Sequence, residues 1–208
     1  MGSTRSSSRP SVKRRLPQEF YLRDTKRVAR DLLGKRLVRI HNNTRLAGII
    51  VETEAYLGVK DPAAHTYGGR ITERNKVMWG EGGSAYVYFV YGMHFCLNAV
   101  TRWAGQPEAV LIRAVQFTEG LDLIKNFREI SEEKQLGNGP AKLCQALNIT
   151  RNLNGVSLVQ SDLFIEDGDL IRNSQIICRP RVGIDYAKEA KHWPLRFYIK
   201  NNEFISKK

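Results

Sequence analysis

Glu52, Glu54 and Tyr56 stand two residues apart in the segment Val51-Glu52-Thr53-Glu54-Ala55-Tyr56. On a strand this spacing puts all three on one face and Val51, Thr53 and Ala55 on the other. Two readings compete. An edge strand would carry the carboxylates on a solvated outer face. A central strand would hold them beside an aromatic ring at the mouth of a long loop, a good setting for a general base. The apolar lead-in Ile49-Ile50-Val51 speaks for the central strand. His65 lies nine residues beyond Tyr56, in a loop with Gly68-Gly69-Arg70 and Arg74-Asn75-Lys76. A histidine so placed is more often a hydrogen-bonded structural group than a catalyst. The basic, backbone-permissive loop around it suits phosphate contact.

A second constellation lies downstream. Tyr86, Tyr88 and Tyr91 fall within six residues, and Tyr91-Gly92-Met93-His94 reads as a tight turn. Strand preference accounts for Tyr86. A bulky Tyr and Met at a hairpin tip are different, because tips usually carry small polar residues. Apolar wedges on protruding elements are how proteins unstack DNA, and this tip fits that role.

The elements that must position these residues follow from periodicity. A helix is predicted over 24–33, with Asp24 as N-cap, Val28, Ala29, Leu32 and Leu33 as its apolar face, and Gly34 as its stop. Strands over 35–41 and 46–56 are joined by the turn Asn42-Asn43-Thr44. Residues 57–84 show no periodicity and read as a long functional loop. Strands over 85–91 and 95–101 make the second hairpin, and a strand over 109–115 follows. Helices are predicted over 119–130 and 140–148, the latter with Pro140 in its first turn. A last passage runs from 181–184 through a short helix starting at Asp185 to a strand over 195–200. The expected fold class is α+β: a mostly antiparallel, curved sheet surrounded by helices, with a protruding hairpin.

The chain has 208 residues and a net charge of +12, enough for one domain with a substantial core. Residues 1–16 hold Arg5, Arg9, Lys13, Arg14 and Arg15 and no acid, and read as a disordered basic tail before a single domain over 17–208. Without those five charges the remainder still carries +7. Such an excess points to a polyanionic partner. Cys96, Cys144 and Cys178 are widely spaced, with no CxxC, and read as reduced thiols of an intracellular protein. His41, His65, His94 and His192 show no ligand spacing, so no metal and no cofactor are expected. The N-terminus is polar, so no secretory leader is expected. The uncharged stretch 85–101 is too short to cross a membrane and alternates as strands do.

Taken together, the motifs resemble the alkyladenine DNA glycosylase family, also called 3-methyladenine or methylpurine DNA glycosylases. The resemblance rests on Glu52-Thr53-Glu54-Ala55-Tyr56, Ala63-Ala64-His65, Gly68-Gly69-Arg70, Arg74-Asn75, Tyr86-Val87-Tyr88 with Tyr91-Gly92-Met93, and Leu97-Asn98. It continues through Leu111-Ile112-Arg113-Ala114, Gly139-Pro140-Ala141-Lys142, Arg181-Val182-Gly183 and Pro194-Leu195-Arg196-Phe197-Tyr198, spanning about residues 17 to 205. It implies that Glu54 activates a water, which Arg113 and the backbone carbonyl of Val182 help to hold. Tyr56 and Tyr88 would sandwich a flipped base, with His65 as a further wall. Asn98 would discriminate against guanine. Tyr91, with Met93 beside it, would fill the gap in the duplex, while Lys142, Arg70 and Arg74 would contact phosphates.

The implied enzyme is a monofunctional hydrolase acting on damaged purines in double-stranded DNA, a monomer found wherever the DNA is. Glu52 reads as structural, and no general acid for a neutral leaving base is identified. A catalytically silent lesion binder and an RNA-modifying or nucleoside hydrolase are the rival readings. Turnover separates the first, and dependence on duplex the second.

Overall fold

The computed structural model describes residues 14–90 and 94–207. One eight-stranded sheet, antiparallel at every pairing, organises them. Its backbone is β2 (Thr44–Tyr56), flanked along one edge by β5 (Glu108–Glu119). The other edge is shared. β1 (Arg36–His41) pairs with the first half of β2, and β8 (Arg196–Ile199) with Glu52–Glu54. Beyond β5 come β4 (His94–Thr101) and β3 (Ala85–Val90); β6 (Leu163–Glu166) pairs with β1, and β7 (Ile176–Arg179) with β8. The central strand favoured by the apolar lead-in is what the chain forms.

The first hairpin turns on Asn42 and Asn43, both at positive φ (46° and 63°), the geometry of a two-residue turn matched to strand twist. The helix after Asp24 spans Thr25–Asp31 (α2), and the Asp24 side chain accepts from the Arg27 amide at 3.1 Å. Val28, Ala29, Leu32 and Leu33 are all buried. Gly34 (φ +83°) follows, where a Cβ would stand 2.4 Å from the Asp169 carbonyl. The remaining helices are α1 (Gln18–Tyr21), α3 (Leu121–Arg128), α4 (Glu133–Leu136) and α5 (Pro140–Ala146).

Several expectations need correction. The helices do not surround the sheet. Tyr21, Val28, Ile124, Leu136 and Leu143 all join one core with the inward residues Leu46, Ile50, Ala55, Val110 and Ile112. The opposite face is covered by loops and single helical turns, at Gly58–Lys60, Tyr67–Gly69, Lys76–Trp79 and Lys188–His192. The strand expected over 109–115 runs on to Glu119, and the helix expected from 119 begins after Gly120 (φ +73°). The short helix expected from Asp185 is a helical turn at Lys188–His192. The strands β6 and β7, four residues each, are too short for a period of two to register.

The most consequential difference is a change of phase in β2. Ile50 pairs with Val115 and Glu52 with Ala114, so Val51 is an extra residue in β2. Glu52 pairs with Ala114 and Thr53 with Ile112, so Arg113 is an extra residue in β5. Each is a bulge, and each reverses which side the following residues face. Before the bulge Leu46 and Ile50 face the helices; after it Ala55 does, and the Thr53 hydroxyl donates to Ala29 O at 2.8 Å. Val51 therefore does not share a face with Thr53 and Ala55. It packs with Ala114 and Ile205 on the opposite side. Without the switch, Glu52, Glu54 and Tyr56 would continue the inward row and point into the apolar core.

Candidate active site

Glu54 is fully buried, on the face away from the helices. Its Oε1 accepts the Val182 amide at 2.8 Å and lies 3.4 Å from Arg113 Nη1; its Oε2 accepts the Tyr56 hydroxyl at 2.9 Å. Burial raises its pKa above the ordinary carboxylate value. The Arg113 guanidinium, the Val182 N–H and the Tyr56 hydroxyl, in that order, oppose the rise. The bulge aims Arg113 at both strand carboxylates: its Nε stands 3.3 Å from Glu52 Oε1.

Glu52 is also buried but is taken up by the fold. Arg196 Nη1 donates to it at 2.9 Å and the Ser206 amide at 2.6 Å, besides Arg113. These contacts tie β2, β5, β8 and the C-terminal segment together. Glu52 acts as a brace.

Above Glu54 opens a cavity of about 230 Å³, lined by Tyr56, His65, Tyr86, Tyr88, Arg113 and Val182 among others. That is below the ~300–1,000 Å³ of sites for drug-sized ligands, and suits one flat ring. The two hydrogen-bond partners of Glu54, Tyr56 and Val182, and its ion-pair partner Arg113 all line it.

The two aromatic walls are held differently. Behind Tyr56 lies Arg181, its Cζ 4.7 Å from the ring centroid. Arg181 is fully buried in a two-pronged pair with Asp61, also fully buried, with Nη2 to Oδ1 at 2.8 Å. Asp61 in turn accepts the Leu57 and Ala63 amides, each at 3.0 Å, which fixes the entry of the long loop. The other wall, Tyr88, meets His65 edge-on at a centroid distance of 4.6 Å and Tyr86 at 5.2 Å. His65 Nδ1 and the Tyr86 hydroxyl are hydrogen-bonded at 2.8 Å. Although one side of His65 is open to solvent, the protein crowding its ring, and then the charge of Arg74, push its pKa down to about 4. The imidazole is neutral at pH 7.

The other residues singled out in the sequence are spread more widely. Asn98 is buried on β4 with its amide donating to Tyr86 O at 3.2 Å, and it is not among the cavity-lining residues. Lys142, in the first turn of α5, donates to Asn138 Oδ1 at 2.8 Å. Arg70 is exposed on the loop, and Arg74 lies against the Tyr88 ring. Tyr91 and Met93 lie outside the described residues. Sequence reasoning missed Asp61 and the part played by Arg181, and it gave Tyr86 only a strand role. Tyr86 could have been found, since it shares the face of Tyr88 at a spacing of two. Asp61 sits in a loop without periodicity, so nothing marked it.

Among the described residues no group of His, Cys, Asp and Glu side chains is placed to hold a metal ion. No helix there is long and apolar enough to cross a membrane. An aromatic cavity sized for one planar ring, floored by the polar neighbours of a buried carboxylate on a strongly basic chain, fits an enzyme that handles single bases of a nucleic acid. Residues 19–203 match the family described as methylpurine-DNA glycosylase, and the chain belongs to that family. It is 49% identical over 203 residues to a candidate 3-methyladenine DNA glycosylase of Clostridium novyi, covering 94% of this chain and 100% of the relative. A counterpart so named from Bdellovibrio bacteriovorus is 52% identical over 197 residues, covering 93% and 99%. One from Desulfitobacterium hafniense is 47% identical over 203 residues, covering 94% and 100%. The protein is a hydrolytic DNA glycosylase, and DNA is its substrate.

Proposed function

We propose that this enzyme flips alkylated or deaminated purines, of the 3-methyladenine, 7-methylguanine, hypoxanthine and ethenoadenine class, out of duplex DNA and hydrolyses their N-glycosidic bond. Glu54 is the general base. The observation that carries this reading is the state of its carboxylate. Oε1 takes the Val182 hydrogen bond and the Arg113 ion pair, while Oε2 accepts only the Tyr56 hydroxyl, leaving a lone pair on Oε2 for the proton of a water. Glu54 takes that proton as the water oxygen bonds to the sugar carbon and the C–N bond electrons leave with the base. Its negative charge also stabilises the oxocarbenium-like sugar. Arg113 and the Val182 carbonyl hold the water. No amine nucleophile takes part, so the product is an abasic site in an intact strand, formed without metal or cofactor by a monomer.

Tyr56 and Tyr88 take the extruded base between them, with His65 as a third wall and Asn98 discriminating against guanine. Stacking at about 1–3 kcal/mol per aromatic contact offsets the few kcal/mol that flipping costs. Tyr91 and Met93 occupy the vacated space, and Lys142 and Arg70 contact phosphates. The test is excision from duplex oligonucleotides carrying one lesion each, with no added metal. Base release leaving an alkali-labile but unbroken strand is expected. Tight duplex binding with no release from any lesion would favour the silent binder instead.

Tyr56→Phe probes the carboxylate from its neighbour. It keeps the ring but removes a hydrogen bond that lowers the Glu54 pKa. The acid limb of the single-turnover rate is expected to move to higher pH, with duplex affinity little changed. A limb that stays in place would separate Tyr56 from the ionisation of Glu54.

A further inference from the structure

Both aromatic walls of the cavity are backed by a guanidinium, but only one of the two charges is neutralised. Arg181 behind Tyr56 is matched by Asp61 at two contacts, with both groups out of solvent. Arg74 lies against Tyr88 with its Cζ 5.2 Å from the ring centroid, and its Nη2 donates to Phe89 O at 3.2 Å. That carbonyl belongs to β3, the edge strand, so the contact ties the arginine to the strand that carries the wall. The adjacent carboxylate, Glu73, pairs with Lys76 at 2.6 Å. Among the described residues Arg74 has no carboxylate within ion-pair distance. Its field reaches the cavity: it is the second cause of the lowered pKa of His65, and it acts on the Tyr86 hydroxyl as well. One wall is therefore electrically balanced and the other carries a net positive charge.

We infer that Arg74 is a specificity-determining residue of the base cavity, whose unpaired charge behind Tyr88 disfavours cationic purines and favours neutral ones. The inference rests on the proposed stacking of the base against Tyr88. A base on the far side of that ring stands about 3.5 Å beyond it, hence ~9 Å from the guanidinium carbon. At that distance, with an effective dielectric of ~20–40, two like charges repel enough to change an equilibrium about 5- to 20-fold. Solvent on the exposed side of Arg74 screens part of this, so about 3-fold is the lower bound expected. The polarised ring adds to the effect in the same direction. A cation on one face draws electron density from the other, which weakens the attraction of that face for a positive ring. A neutral lesion loses neither contribution.

The test compares excision of 7-methylguanine, which bears a fixed positive charge, with excision of neutral ethenoadenine. Both are measured under single-turnover conditions with wild type, Arg74→Gln and Arg74→Lys. The ratio of cationic to neutral excision is expected to rise about 3- to 20-fold in Arg74→Gln and to stay within about twofold of wild type in Arg74→Lys, which keeps the charge. The ratio is read within one preparation, so partial loss of folded protein cancels from it. The salt dependence of duplex affinity gives the second reading. A slope unchanged by Arg74→Gln is expected. A slope smaller by about one, with an unchanged ratio, would make Arg74 an ordinary phosphate contact and overturn the inference. A wild type that excises neither lesion defeats the proposed function itself, a result distinct from an unchanged ratio in an active enzyme.

Discussion

Glu54→Gln is expected to slow base release by about 10²–10⁴-fold, the usual contribution of a positioned general base, while duplex affinity stays within about threefold of wild type. Glutamine matches the carboxylate in shape and still offers its oxygen to Val182 N–H or to the Tyr56 hydroxyl, so the cavity keeps its floor. Single-turnover excision alongside equilibrium binding to the same duplex measures both quantities. Excision within tenfold of wild type would remove Glu54 from the chemistry. The same variant carries a stability signature. Burial raises the Glu54 pKa in the folded state, so its proton binds more tightly there than in the unfolded chain. The associated stability is complete below the unfolded pKa and is lost as pH rises through the folded one. Glutamine has no such loss. The melting temperature of the variant relative to wild type is therefore expected to climb between acidic and neutral pH. A difference that falls over that range would contradict the direction of the shift.

The largest expected effect on folding is at Asp61, which does not itself line the cavity. Asp61→Ala leaves Arg181 buried without its counter-charge and deprives the Leu57 and Ala63 amides of their acceptor. Breaking one side of a buried ion pair costs about 3–5 kcal/mol. For a chain of this size, at roughly 2–4 °C per kcal/mol, the melting temperature should fall by about 6–20 °C. Adding Arg181→Met to Asp61→Ala should restore part of the loss, because the stranded charge goes with it. Because Arg181 lies behind Tyr56, the single variant should also weaken stacking, visible as a higher KM. A fall of less than about 2 °C would mean that water reaches Arg181 and that the pair carries little of the loop's stability.

Much of this architecture can be read from the chain, for reasons that differ by element. The helix after Asp24 is legible because a capping carboxylate, an apolar stripe and a terminating glycine agree. The first hairpin is legible because two asparagines in succession tolerate positive φ. The grouping of Glu52, Glu54 and Tyr56 survives because all three lie beyond the bulge, where alternation is regular. The face they occupy is not legible, since a bulge leaves no compositional mark and Val51 looks like any other strand valine. The extent of β5 is hidden for the same reason. Which sheet face the helices cover is also silent in the sequence, because each amphipathic stripe specifies that it is buried but not against what. The Asp61–Arg181 pair joins residues 120 positions apart, and no local pattern links them.

The paired irregularities at Val51 and Arg113 make the face of Glu54 a matter of register rather than of strand length. Val51 and Arg113 are themselves the extra residues, so a chain that lost both would alternate regularly through Ile50, Glu52 and Thr53 and keep Glu54 on the cavity face. A chain that kept both but paired them rung for rung would instead turn Glu54 toward the helices and present Thr53 to the cavity. Two sheets of identical composition and strand order would then differ only in which side chain meets the substrate.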